Sequence, residues 1–278
     1  MLHERAYAKV NLVLLIGRQV TDGRHPVCSL FASIDLADDV TVAPAGDSAD
    51  SVESPGVEGP NLALAAVAAL RERIGPAVPP LRVVITKHIP VAAGLAGGSA
   101  DAAAVLRMAN RLAGAPLGAE GLREVADGLG SDVPSQIEPR HALVQGTGEL
   151  VEPIELPPLG LLLVVAEEGL STGAVYAELD RVGAGRERLD PQPLRRLAAA
   201  GAAAIGAGLE NDLQAPALRL RPELAGTLER IRAAGALGAA VSGSGPTCFG
   251  VFEDRETAAR AAASSGLAGA VVTGLRSG

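Results

Sequence analysis

PVAAGLAGGSADAAAVL, residues 90–106, packs three glycines and a serine into six residues, between an apolar run and an alanine-rich segment. Gly94, Gly97 and Gly98 permit positive φ and close approach to the backbone. Ser99 is a good N-cap for the strong helix formers that follow, so the pattern predicts a helix from about Ser99 to Leu112. A strand, a glycine-rich turn and a helix N-terminus in succession make an anion site, because free N–H groups and the helix dipole converge on one spot. The spacing is not a P-loop, since no lysine follows the last glycine, and it is not G-x-G-x-x-G. The same glycines would serve a sharp turn without any ligand. Asp101, in the first helical turn, would oppose a phosphate or simply complement the dipole.

The rest of the chain narrows the choice. Its 278 residues suffice for one large or two modest domains, and 48% are hydrophobic while 2% are aromatic, so the core is built from Ala, Val, Leu and Ile. A formal charge of −8 with no basic cluster argues against nucleic acid and anionic membranes as partners. Any phosphate is therefore held locally, by backbone amides and a few cations. Cys28 and Cys248 form neither a metal-ligand spacing nor a disulfide framework. The opening MLHERAYAKVNL has no signal-peptide core, and the longest purely apolar run, LLLVVA at 161–166, is too short for a bilayer. These features lead to the expectation of a soluble cytoplasmic protein.

Residues 7–16 read as a buried strand, and 29–45 as two strands around a polar break. A polar loop over 46–60 precedes a helix, NLALAAVAALRERIG, with Gly75 as its stop. LRVVITKHIP (81–90) is a strand that leads into the glycine segment. The proline-rich seam EPIELPPLG (152–160) divides the chain into domains 1–152 and 153–278. Beyond it come a strand, helices at 173–182, 191–205 and 221–235, and SGSGPT (242–247) as a second Gly/Ser loop between strands. A helix and a final strand follow. Without strict βαβ alternation the class is α+β. In AYAKVNL, alternation puts Lys9 and Asn11 on one strand face; a buried lysine there needs an acidic partner.

Taken together these segments resemble the GHMP kinase superfamily. PVAAGLAGGSADAA is similar to its ATP-phosphate loop and SGSGPTCFG to its C-terminal glycine motif. AYAKVNL, the DGRH frame, LGSDVP (129–134) and NDLQ (211–214) are similar to the branch that phosphorylates 4-diphosphocytidyl-2-C-methyl-D-erythritol. The resemblance implies an N-terminal domain like ribosomal protein S5 domain 2, a ferredoxin-like C-terminal domain, and ATP between them. It also implies a small-molecule acceptor, Mg²⁺ accompanying ATP, and a monomer or weak homodimer.

By position it assigns Asp132 as general base and Lys9 as its paired cation. ATP falls to Asn61, Lys87, Pro90, Gly94, Leu95, Ala96, Gly97, Gly98, Ser99 and Ala100. The acceptor falls to Asn11, Arg24, His25, Tyr176, Gly243 and Ser244, with His25 reading the cytosine edge and Tyr176 giving an aromatic face. Gly245 closes the second loop, and no metal ligands are legible. Asn61 is equally apt as a helix N-cap. Arg24 stands where the branch has Tyr or Phe, Ser135 where an aromatic residue is common, and Thr147 where it has Arg. These departures leave open a different polyol or sugar-alcohol acceptor. A non-catalytic nucleotide-binding regulator is a further alternative, against which an intact Lys9, Asp132 and both glycine loops argue.

Overall fold

The computed structural model describes residues 1–21, 23–46, 49–57 and 59–276. Asp47, Ser48 and Glu58 of the expected 46–60 loop, and Asp22 of the DGRH frame, lie outside them. The chain forms two compact units, each discontinuous in sequence. The first comprises Met1–Ala8, Leu36–Val91 and Ala96–Pro139; the second comprises Lys9–Asp35, Ala92–Leu95 and Arg140–Gly278. Strands β1 (Leu2–Ile16) and β2 (Val27–Pro44) are long enough to serve in both. The two strands expected over 29–45 are thus one. Asp38, part of the expected polar break, is fully buried, and its Oδ1 accepts the His88 and Ile89 amides at 2.5 and 2.8 Å. With its carboxylate satisfied, the strand runs on.

The first unit continues with β3 (Ser51–Glu53), α1 (Leu62–Ile74), β4 (Leu81–Thr86), α2 (Gly97–Leu112), α3 (Ala119–Asp127) and α4 (Val133–Gln136). Its strands lie in the order β3-β4-β2-β1, with β2 and β4 antiparallel and β3 and β4 parallel. Strand β3 is a short element inside what the sequence offered as plain loop. Along β4, Leu81, Val83 and Ile85 are buried while Arg82 and Thr86 are exposed, so one face meets the helices. That face packs with Val40 and Val42 against Ala66, Val67 and Leu70 of α1 and Ala103 and Leu106 of α2. Gly75 ends α1 at φ +76°, as its sequence foretold.

The second unit adds β5 (Ala142–Gln145), β6 (Leu150–Pro153), β7 (Gly160–Val164), α5 (Thr172–Arg181), α6 (Gln192–Ala198) and α7 (Ala202–Ala207). There follow β8 (Glu210–Asn211), α8 (Gln214–Leu220), α9 (Glu223–Ala233), β9 (Gly238–Val241), β10 (Cys248–Phe252), α10 (Arg255–Ser265) and β11 (Ala270–Gly274). An antiparallel sheet runs β11-β7-β10-β9. With helices after β7 and β10, this is the ferredoxin-like arrangement. The other sheet of this unit runs β6-β5-β2-β1-β8. The class is α+β, as expected. The helix read over 191–205 is two, α6 and α7, because Gly201 adopts an extended conformation (φ −76°, ψ 171°) between them. Pro153, expected at the seam, ends β6 inside the second unit. Among the described residues no helix is long and apolar enough to cross a membrane.

Candidate active site

In the second unit, strand alternation delivers the predicted pair. Lys9 and Asn11 are 4% and 1% exposed, and Lys9 Nζ donates to Asn11 Oδ1 at 2.7 Å. Asn11 Nδ2 donates to Ser29 Oγ (2.9 Å), which donates to the Val13 carbonyl (2.5 Å). The chain of donors fixes the Asn11 amide with its oxygen toward the cation. Lys9 Nζ also lies 4.6 Å from the Phe31 ring centroid, a cation–π contact. The Lys9 amide donates to Leu95 O at 3.1 Å and so pins the end of the first glycine loop to β1.

The two glycine loops interlock through residues 92–95 and 242–247. Ser242 Oγ donates to Gly94 O (2.9 Å), and the Thr247 amide donates to Ala93 O (3.3 Å). Gly94 is at φ +76°, and a Cβ there would run into the Ser242 carbonyl oxygen, with Gly245 O at 2.9 Å. Its lack of a side chain is therefore required by the second loop. Gly243, at φ +56°, offers its carbonyl to Asn211 Nδ2 at 2.8 Å. The same Nδ2 reaches Val241 O at 2.8 Å, and Gln214 Oε1 accepts the Val241 amide at 3.0 Å. NDLQ thus braces this loop, a role its sequence did not disclose. Ser244 is buried, with its hydroxyl 2.8 Å from that of Thr172.

His25 is also buried. Its Nε2 lies 2.8 Å from Asp180 Oδ1, and its ring centroid lies 5.0 Å from that of Tyr176, tilted by 42°. Tyr176 and Asp180 are four residues apart on α5, hence on one helix face. Sequence reasoning named His25 and Tyr176 but missed Asp180, which that spacing could have indicated. Arg24 is exposed. Its charge acts on Glu149: burial works to raise that carboxyl, but hydrogen bonds from its own amide and from Thr147, with Arg24, hold it below the usual range.

In the first unit, α2 begins at Gly97, two residues before the expected start. The N-cap is Ala96, in the left-handed region (φ 57°), and not Ser99. The glycine pair forms the first two residues of the helix. The first backbone helix bond runs from the Ala100 amide to Ala96 O at 2.9 Å, so the amides of Gly97, Gly98 and Ser99 belong to the first turn, where no helix carbonyl takes them. Gly98 is exposed, whereas Pro90, Ala96, Gly97 and Ser99 are half-buried and Ala100 is buried. A Cβ on Gly97 would meet Ile89 Cγ2 at 2.9 Å, while one on Gly98 meets only Leu62 Cδ1 at 3.9 Å.

Beneath this turn Lys87 bridges two buried carboxylates, Asp38 Oδ2 and, at 2.7 Å, Asp101 Oδ2. Asp101 Oδ1 is buried without a hydrogen-bond partner. Burial pushes the Asp101 carboxyl up to about 7 against the pull of Lys87, with Asp38 adding to the rise. Asn61 caps α1, its Oδ1 accepting the Ala63 amide at 2.8 Å. Asp132, half-buried, precedes α4, and its side chain makes no capping bond there. Its carbonyl accepts the Ser135 hydroxyl at 2.8 Å. Among the described residues, no group of three or more His, Cys, Asp or Glu is placed to hold a metal.

Comparison with known proteins gives the family and the fold. Residues 61–138 match the model of the GHMP kinases N-terminal domain, and 187–265 that of the GHMP kinases C-terminal domain. The chain is 41% identical over 266 residues to 4-diphosphocytidyl-2-C-methyl-D-erythritol kinase of Streptomyces coelicolor, covering 91% of this chain and 88% of that one. It is 42% identical over 278 residues to the protein of the same name from Nocardia farcinica, covering 96% and 90%. A crystal structure of 4-(cytidine 5′-diphospho)-2C-methyl-D-erythritol kinase superposes with a TM-score of 0.80 at 34% identity, over 100% of both chains. Homoserine kinase from Cytophaga hutchinsonii shares the fold, with a TM-score of 0.69 at 17% identity over 98% of this chain and 95% of that one.

Proposed function

Because the chain belongs to the GHMP kinases, in the group of the 4-diphosphocytidyl-2-C-methyl-D-erythritol kinases, we propose that it transfers the terminal phosphoryl group of ATP to the 2-hydroxyl of 4-diphosphocytidyl-2-C-methyl-D-erythritol. That step belongs to non-mevalonate isoprenoid precursor synthesis. The observation that carries the reading is the start of α2: after left-handed Ala96, first-turn amides 97–99 lie at an exposed glycine, which suits a polyphosphate.

A hydroxyl attacks poorly until its proton is taken. Asp132, placed just before α4, takes it as general base. Lys9, oriented by Asn11 Oδ1 and the Phe31 ring, supplies positive charge to the phosphoryl group in transfer. The α2 amides and the Ser99 hydroxyl hold the phosphate chain. Mg²⁺, when bound with the nucleotide, neutralises phosphate charge; Ser99 is the side chain of this turn suited to it. Pro90, Leu95 and Ala100 shape the loop, with Asn61 and Lys87 on the adenosine side. Arg24, His25 and Tyr176 take the cytidine diphosphate end, and Asn11, Gly243 and Ser244 the polyol.

ADP release by the purified protein, with and without the cytidylylated acceptor, tests this reading. Turnover that requires the acceptor is expected. ATP binding with no acceptor-dependent release would instead mark a nucleotide-binding regulator.

A further inference from the structure

We propose that Asp180 makes this site select cytosine over uracil by fixing the tautomer of His25; the inference rests on the cytidine-linked acceptor proposed above. The His25 side chain is 5% exposed and its Nε2 lies 2.8 Å from Asp180 Oδ1. A carboxylate only accepts, so the hydrogen sits on Nε2. In the neutral ring, Nδ1 is then an acceptor. Tyr176, packed at 5.0 Å on the same ring, restricts its rotation. Tyr176 and Asp180 both come from α5, so one rigid helix holds the ring and sets its hydrogen.

The consequence is chemical. Cytosine presents an amino donor at C4, where the thymine type of base, uracil included, presents a carbonyl acceptor. An acceptor at Nδ1 complements the first and faces the second with lone pair against lone pair. A hydrogen on Nδ1 would reverse the preference. Leaving such a group unpaired in a buried site costs roughly 10- to 100-fold in affinity. A bare histidine interconverts its tautomers and discriminates weakly, so the selectivity resides in the carboxylate behind it. Asp180 is a positioning residue, with its side chain 43% exposed and able to accept substitution without disturbing the core.

The test compares kcat/KM for 4-diphosphocytidyl-methylerythritol and its uridine counterpart in the full-length protein, the Asp180→Asn variant and the Asp180→Ala variant. The native chain is expected to favour cytidine by at least tenfold. Asp180→Asn can donate an amide hydrogen to Nε2, which admits the other tautomer. It should reduce the ratio about tenfold, through KM, with kcat at saturating acceptor and ATP affinity within about a factor of three. Asp180→Ala should also lower the ratio. A readout independent of activity is the ¹⁵N spectrum of histidine-labelled protein: Nε2–H in the native chain, and a shift toward Nδ1–H in Asp180→Asn. An Nδ1–H native tautomer, equal turnover of both acceptors, or an unchanged ratio in Asp180→Asn would overturn the inference alone. Failure of the native protein on both acceptors would overturn the functional reading beneath it.

Discussion

Asp132 has one task in this account, to accept a proton as the acceptor hydroxyl attacks. Asp132→Asn keeps the shape and removes the base, so kcat should fall roughly 10²–10⁴-fold, with ATP affinity by calorimetry almost unchanged. Turnover within about threefold of native, which is about 0.65 kcal/mol of barrier, would remove Asp132 from the mechanism. Asp101 makes a different claim. Its folded value near 7 lies above the ordinary 3.8, so the native state holds a proton that the unfolded chain releases earlier. The associated stability is fully present below pH 3.8 and is lost as pH rises through about 7. Denaturant melts of native and Asp101→Asn protein should therefore differ in slope between those limits, the native chain losing more stability with rising pH. Parallel curves would mean that Asp101 is ionised throughout. The Lys9–Asn11 pair was legible because two-residue alternation fixes a strand face. The Asp38–Lys87–Asp101 cluster was not, because its partners stand 49 and 14 positions from the lysine and only the fold brings them together.

The glycines at the head of α2 have separable duties. Gly94 is shaped by the second loop and Gly97 by Ile89, whereas Gly98 has open space around its missing side chain. Gly94→Ala would force a left-handed alanine against the Ser242 carbonyl. A cost of about 1–3 kcal/mol is expected, seen as a lower melting temperature. Gly98→Ala should leave stability equal or raise it by about 0.4–1 kcal/mol, since helical φ suits alanine. It should also weaken ATP binding roughly tenfold by crowding the first-turn amides. Normal ATP affinity in a stable Gly98→Ala protein would reduce the segment to a turn. Sequence put Gly97 and Gly98 in the turn before the helix that they in fact begin, and it could not apportion the three glycines, because the atoms that Gly94 and Gly97 meet come from other segments. The same limit joined α6 to α7 and divided β2: a local break is visible in sequence, but whether tertiary contacts satisfy it is not.

For the molecule as a whole, periodicity identified the class and most elements, but it gave a boundary in chain order where contacts give interleaved units. The cause is the length of β1 and β2: each is shared by the two units, and no compositional change marks the passage at Lys9 or Leu36. The order of motifs along the chain carried the functional reading further than any single motif, since the glycine loops alone do not choose an acceptor. Arg24 is exposed and stands where the resemblance implies an aromatic ring, so the acceptor is the claim to measure. The direct test is kcat/KM for 4-diphosphocytidyl-methylerythritol, methylerythritol phosphate and free methylerythritol under one set of conditions, with the new phosphate located by mass spectrometry. The account predicts that the cytidylylated acceptor is preferred by at least tenfold, roughly the worth of one buried polar contact, and that the phosphate is on the 2-hydroxyl. A preference for either uncytidylylated acceptor, or a phosphate at another position, would contradict it.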